Sequence, residues 1–249
     1  MNFPLLVFVT SLALLTLATG VADALRKRAA PQKEEARIDA GVMLSATLML
    51  LYFIIGFTFS MAISRYDLRK NSEQVEAIAI GTEYSRADLL VPGDAANVQK
   101  LLKRYLDQRV LFYSTASAHR ASEIMADTGK LQVELWSTLR PAIAAVPPPL
   151  MGLLVSGIND VVNSQRSSQA AWLNRIPVAA WTLMAAIATG CCWIIGYRAR
   201  RTDWLAFMIV PLSASISFFL IADLDSPRGG AIRVSPQNLS SLSQSLAPR

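Results

Sequence analysis

The chain has 249 residues, of which 53% are hydrophobic and only 17% charged, with a net charge of +6. Its mean hydropathy of +0.35 is too high for a soluble protein of one or two domains. The basic excess does not point to nucleic acid either. The cations crowd the ends of apolar runs (Arg26, Lys27, Arg28; Arg65, Arg69, Lys70; Arg198, Arg200, Arg201), where membrane helices place them against headgroups, and no basic groove with interleaved aromatics is visible.

Four runs are free of ionisable side chains: residues 3–22, 41–64, 177–197 and 204–222. At a rise of about 1.5 Å per residue, each can cross a hydrocarbon core of about 30 Å. A single charge at the bilayer centre costs about 3 kcal/mol on insertion scales, so four such runs are read as four transmembrane helices. The fold class expected is therefore an all-α integral membrane protein, with a helical extramembrane domain inserted between the second and third spans. The domain boundaries expected are 1–64 for the first two spans with their basic linker, 65–176 for the helical domain, 177–224 for the last two spans, and 225–249 for a Pro/Gly/Ser-rich tail.

The first run is followed by Ala22-Asp23-Ala24, which resembles a cleavage site. No Lys or Arg precedes the run, and it exceeds the usual signal-peptide core, so a retained helix is favoured. The linker 23–40 is polar, contains Pro31 and carries both signs of charge. The second run continues without Pro until Pro92, so a single helix is expected to leave the bilayer and keep going. Asp67, Glu73, Glu76, Glu83 and Asp88, spaced with Arg69, Lys70 and Arg86, read as a salt-bridge-laced face, with metal binding a poor second.

Pro92-Gly93-Asp94 marks a turn with Asp94 as the expected N-cap. Val98, Leu101, Leu102, Tyr105, Leu106, Val110 and Tyr113 then recur at helical spacing along one apolar face. A further helix is expected over 121–145, packing through Leu131, Leu135, Trp136 and Leu139. Pro147-Pro148-Pro149 breaks the chain before another helix over 150–174. The last two spans are joined by a short basic loop and so form a hairpin. Pro211 inside the fourth run predicts a bend. The last residues, Ser-rich, are expected to be poorly ordered.

Enzyme chemistry finds little support. His119 is the only histidine and reads as a solvated surface residue. Cys191 and Cys192 are adjacent within an apolar run and read as small packing residues. No nucleophile and base, metal-ligand spacing or phosphate loop is evident, so neither a catalytic site nor a metal or cofactor is expected. One pattern stands out in the second span. Leu51, Ile55 and Phe59 lie at i, i+4, i+8 and form a stripe, with Gly56 and Ser60 beside it. It serves either as lipid or packing contact, or, if several copies ring an axis, as an apolar constriction gating by dewetting.

The run from Tyr52 to Arg69, ending in the helix-exit motif Arg65-Tyr66-Asp67-x-Arg69, resembles the second helix of bestrophins and its exit into their soluble domain. The fuller pattern is similar to the bestrophin-like membrane proteins of bacteria. It comprises Glu76-Ala77-Ile78-Ala79-Ile80-Gly81, then Tyr84, then the basic helix through Tyr113. It closes on a signature in which Asp225, Pro227, Gly230, Ser235 and Pro236 are fixed points. Arg228 departs from it, standing where the family usually has Phe. The resemblance implies a homo-oligomer (a pentamer) in contact with membrane lipid, an ion channel whose neck is lined by Leu51, Ile55 and Phe59, and no nucleic-acid partner. The alternative is a non-conducting scaffold or sensor whose helical domain binds a partner.

The location expected is the cell (inner) membrane, crossed several times. Charge counts for its orientation oppose each other. Arg26, Lys27, Arg28, Lys33, Arg37, Arg198, Arg200 and Arg201 in the short loops draw those loops to the cytoplasm, whereas Arg65, Arg69 and Lys70 draw the helical domain there.

Overall fold

The computed structural model describes residues 3–28, 34–198 and 204–247. Lys33, Arg200 and Arg201, used in the charge count above, and Pro31 lie outside the described residues, as does the side chain of Arg37. Among the described residues the chain is helical and holds no strand. The elements are α1 (Phe3–Arg28), α2 (Glu34–Arg86), a 3-10 turn (Ala87–Leu89), α3 (Pro92–Ser114), α4 (Ala118–Ile143), α5 (Pro148–Leu173), α6 (Val178–Arg198), α7 (Trp204–Asp225) and α8 (Gln237–Ser245). Among the described residues four helical stretches are long and apolar enough to cross a membrane: Phe3–Arg28, Asp39–Leu89, Pro148–Arg198 and Phe207–Asp225. The chain is a membrane protein built from helices.

The helix ends follow local chemistry. Arg26, Lys27 and Arg28 close α1, where cations meet the negative end of the helix dipole. Helix α3 starts earlier than Asp94: Val91 is the N-cap and Pro92 takes the first turn, where a missing N–H costs nothing. Asp94 instead places its charge in that first turn. Ser117 caps α4, its Oγ accepting from the Arg120 N–H at 3.3 Å. Pro141 lies inside α4, two residues before its end at Ile143, and α5 begins at Pro148 behind an extended Pro147.

The chain divides into two units, to both of which α2 contributes. The first comprises Met1–Arg65 and Arg175–Ile232. Here α1 packs on α6 and α7. Trp181 and Thr182 at the start of α6 share a groove with Val7 and Thr10 near the start of α1, while Gly196 near its end meets Thr19 and Ala22. The two helices therefore run in the same direction. Small residues permit the approach: Ala188, Cys192 and Gly196 recur every fourth residue of α6 and are buried. Edge-on ring pairs tie in α7, Phe8 to Phe219 at 6.1 Å and Trp181 to Phe218 at 6.4 Å. The outer faces are apolar, with Leu14 and Leu17 of α1 exposed, as lipid solvation requires.

The second unit comprises Tyr66–Asn174 and Arg233–Arg249. Its core is formed by Ile80, Val98, Leu102, Leu106, Leu135, Leu139, Leu154 and Ile158, all buried. Helix α3 packs on α4 and carries α8 on another side. The C-terminal segment thus departs from the expectation of poor order. It folds as α8 with Leu239 fully buried, because Leu239 and Leu242 at i, i+3 supply an apolar edge that the core covers.

A Cβ at Gly196 would collide with the Thr19 backbone carbonyl, so a side chain there must push α1 and α6 apart. Gly196→Leu is expected to cost about 1–3 kcal/mol or more through overpacking. Thermal unfolding of the detergent-solubilised protein reads this as a lowered midpoint, and an unchanged midpoint would contradict the close packing.

Candidate functional site: the second helix and its polar anchors

Within the first unit, α2 has one covered face. Leu51, Ile55, Thr58 and Ala62 are buried, and their spacing places them on a single side of the helix. Tyr52 Oη and Ser213 Oγ of α7 lie 2.6 Å apart beside this face. About half a turn round the helix, Met49, Phe53 and Phe57 stand at i, i+4, i+8 and are 79%, 61% and 63% exposed. The Phe53 and Phe57 rings meet edge-on, 4.7 Å between centroids. Ser60 and Ser64 continue that exposed side, and Gly56 flanks it. Of the stripe expected from sequence, Leu51 is fully buried, Ile55 is 7% exposed and Phe59 is half-buried. The chain's own helices thus cover the first two.

The apolar segment of α2 ends at Arg65, whose Nη1 lies 3.9 Å from Asp225 Oδ1. Asp225 is buried and also accepts from the Ile176 N–H at 3.1 Å, while Arg175 Nη1 donates to its carbonyl at 3.1 Å. Two residues earlier, the Asp223 carboxylate accepts from the N–H groups of Ala231 (2.7 Å) and Ile232 (2.9 Å). Both aspartates sit at the C-terminal end of α7, where the helix dipole opposes negative charge, so these donors compensate them. Gly230 is needed here: a Cβ would come within 2.6 Å of the Asp223 carbonyl. Pro227 is half-buried in this turn. Sequence reasoning picked out Asp225, Pro227 and Gly230 but assigned no role to Asp223. A carboxylate ahead of a Pro-x-Gly-Gly turn is itself a signal for a side chain capping that turn.

In the second unit the helix-exit residues separate. Tyr66 packs against the core, Asp67 is exposed and Arg69 is buried. Ser235 is exposed, and its carbonyl accepts from the Gln237 N–H at 2.9 Å, next to Pro236, the N-cap of α8. The acidic residues of α2 and the 3-10 turn after it do not form the single salt-bridge-laced face expected from their spacing, since Asp67 and Asp88 are exposed and the three glutamates turn inward. Glu73, Glu76 and Glu83 are all buried. Glu76 receives two hydrogen bonds from Arg109, Nε to Oε1 at 3.1 Å and Nη2 to Oε2 at 3.3 Å. Arg109 also stacks over Phe112, 4.4 Å from the ring centroid. Glu73 caps α8 from outside that helix, Oε1 accepting from the Leu239 N–H at 2.8 Å and Oε2 from Asn238 at 2.6 Å. The signal was present in the sequence: Arg69, Glu73, Glu76, Ile80, Glu83 and Ala87 follow a 4-3-4-3-4 spacing, an inward seam that apolar Ile80 and Ala87 share.

Glu83 differs from its neighbours. Both carboxyl oxygens are buried without a hydrogen-bond partner, one of them pressed where a Gly157 Cβ would lie. Arg86 is the near cation, at 3.9 Å. Burial raises the Glu83 carboxyl to about 8, against the pull of Arg86 and with Asp160 adding to the rise. Burial likewise raises Glu76, to about 7, despite Arg109. Elsewhere His119 is exposed and 3.4 Å from Glu123, and among the described residues no group of three or more His, Cys, Asp or Glu could hold a metal.

A family model described as Bestrophin-like domain matches residues 8–239. The chain belongs to the Bestrophin-like family. No curated protein matches this Bestrophin-like chain. Its fold is that of solved bacterial bestrophin homologues. A point variant of a homologue from Klebsiella pneumoniae superposes with a TM-score of 0.69 at 14% identity, covering 98% of this chain and 99% of that one. A second structure from Klebsiella pneumoniae, phased on zinc, gives 0.61 at 14% identity over 95% and 94%. At such identity the likeness is one of fold.

The Glu83 environment sets a pH dependence for this Bestrophin-like fold. Its folded-state carboxyl holds a proton more tightly than the ordinary value of 4.5, so the folded chain binds more protons than the unfolded one between 4.5 and about 8. Stability is therefore fully present below that window and falls as pH rises through it. Glu83→Gln is expected to flatten this slope in unfolding titrations run across the window, and a slope unchanged by the substitution would contradict the assignment.

Proposed function

We propose that the protein is an oligomeric channel of the bestrophin kind in the cell (inner) membrane, a pentamer as the resemblance implies, with an apolar neck lined by α2. The exposure of Met49, Phe53 and Phe57, on the side of α2 opposite the face its own chain covers, carries this reading. A side of a membrane helix that its own chain leaves free meets lipid or another copy. Ser60, Ser64 and Gly56 on and beside the same side favour other copies, since hydroxyls and small residues support close helix approach and line a wet path better than they solvate in lipid. The neck is accordingly assigned to Met49, Phe53 and Phe57, two residues earlier in register than Leu51, Ile55 and Phe59. Leu51 and Ile55 could line an axis only if the chain's own helices withdrew from them.

In this reading the remaining polar residues are supports. Arg65 and Asp225, with Asp223 and Gly230, fix the end of the spans. Arg69 and the buried glutamates fix the second unit. No catalytic group, metal or cofactor takes part.

Purified protein in planar bilayers tests the reading. Replacing Met49, Phe53 and Phe57 together by Ala is expected to raise single-channel conductance or open probability several-fold, since a wider neck is easier to wet. Leu51→Ala and Ile55→Ala are expected instead to cost about 2–5 kcal/mol of stability each, as buried truncations do. A stable monomer, or the absence of current from a well-formed oligomer, would contradict the proposal and favour a non-conducting scaffold.

A further inference from the structure

Helices α1 and α6 run in the same direction, and Gly196 near the end of α6 packs on Thr19 and Ala22, with α1 continuing to Arg28. Their last turns carry Arg26, Lys27 and Arg28 on one helix and Arg198 on the other. Arg198 directly follows the charge-free residues 177–197, whose length at about 1.5 Å per residue matches a hydrocarbon core of about 30 Å. Its guanidinium therefore stands at the depth of the lipid phosphates.

The seating of Arg198 is specific. Its Nη1 and Nη2 lie over Gly41 of α2, each 2.8 Å from where a Cβ would stand, so any larger residue there would displace the guanidinium. Its Nε is buried with no hydrogen-bond partner. On α1, Asp23 is taken by Arg26 at 2.7 Å and Lys27 at 2.6 Å, while Arg28 is exposed. A guanidinium partly removed from water, with no ion pair among the described residues, is costly unless an anion meets its open edge. Phosphate geometry matches the guanidinium fork, and the membrane supplies phosphate at that depth.

We propose that Arg198, seated over Gly41 at the end of its span, binds the phosphate of an anionic phospholipid. The ligand is a headgroup with net negative charge, because among the described residues the ends of α1 and α6 carry Arg26, Lys27, Arg28 and Arg198 against Asp23 alone, which discriminates against zwitterionic lipid.

The full-length protein is reconstituted in nanodiscs of phosphatidylcholine containing a minor fraction of phosphatidylglycerol, and the lipids it retains are measured by native mass spectrometry. Phosphatidylglycerol is expected to be enriched over its bulk share. Arg198→Ala should reduce that enrichment about fivefold, the equivalent of about 1 kcal/mol for one basic residue near an anionic surface. Arg198→Lys should fall between, as it keeps the charge and loses the fork, and Arg120→Ala, at an exposed arginine paired with Glu123, should match the wild type. No enrichment in the wild type, or enrichment indifferent to Arg198→Ala, would overturn the proposal. Should Arg198→Ala fail to fold, phenylglyoxal labelling of wild-type Arg198 decides. Protection in phosphatidylglycerol discs beyond that in phosphatidylcholine discs supports the site, and equal labelling overturns it. Equal protection by inorganic phosphate in phosphatidylcholine discs would assign a free-phosphate site and overturn the lipid assignment.

Discussion

The structure depends on one uninterrupted helix that must satisfy two different environments. Helix α2 runs for 53 residues. Its membrane part has no charge to place, and its later part buries Arg69, Glu73, Glu76 and Glu83. Burying four ionisable side chains on a single helix is affordable only if neighbours are arranged to meet them. Arg109 of α3 and the first turn of α8 do so for Glu76 and Glu73. The packing of α3 and α8 against α2 is thereby specified by direction as well as by apolar contact. Removing one partner of such a pair costs about 3–5 kcal/mol, because it leaves the other charge buried and uncompensated.

The ends of the membrane spans obey the same logic on a smaller scale. Two aspartates close α7 against the helix dipole, yet each is held by backbone N–H groups, and Asp225 has Arg65 beside it. A Pro-x-Gly-Gly turn folds back tightly enough for Asp223 to reach its own N–H donors, with Gly230 leaving the room. At the other end of the spans the balance is reversed. Cations close α1 and α6, in line with the dipole. The aspartates are thus answered within the protein, whereas the cations at the other end can also be answered by lipid headgroups.

The four spans were legible in the sequence because the absence of charge over a membrane's thickness is a strong constraint with few alternative causes. Helix α3 was legible from its apolar period, and the α4–α5 break from consecutive prolines. The buried glutamates were misjudged because charge spacing alone cannot distinguish an exposed ladder from a seam facing the core. Ile80 and Ala87, in register with Glu73, Glu76 and Glu83, held the information. Helix α8 was missed because its sequence is rich in Ser, and its order comes from Glu73, more than 160 residues away in the chain. The two stripes of α2 are equally apolar and equally spaced, so sequence could not rank them. Burial of Leu51 beside exposed Phe53 separates them.

The proposed neck requires Phe53 and Phe57 to face a water-filled axis shared between copies. Single cysteines at Phe53, Phe57 and Leu51, in a background with Cys191 and Cys192 replaced by Ala, test it through block of current by a water-soluble thiol reagent. Rapid block is expected at Phe53→Cys and Phe57→Cys and none at Leu51→Cys. Block at Leu51→Cys with Phe53→Cys and Phe57→Cys unreactive would contradict it.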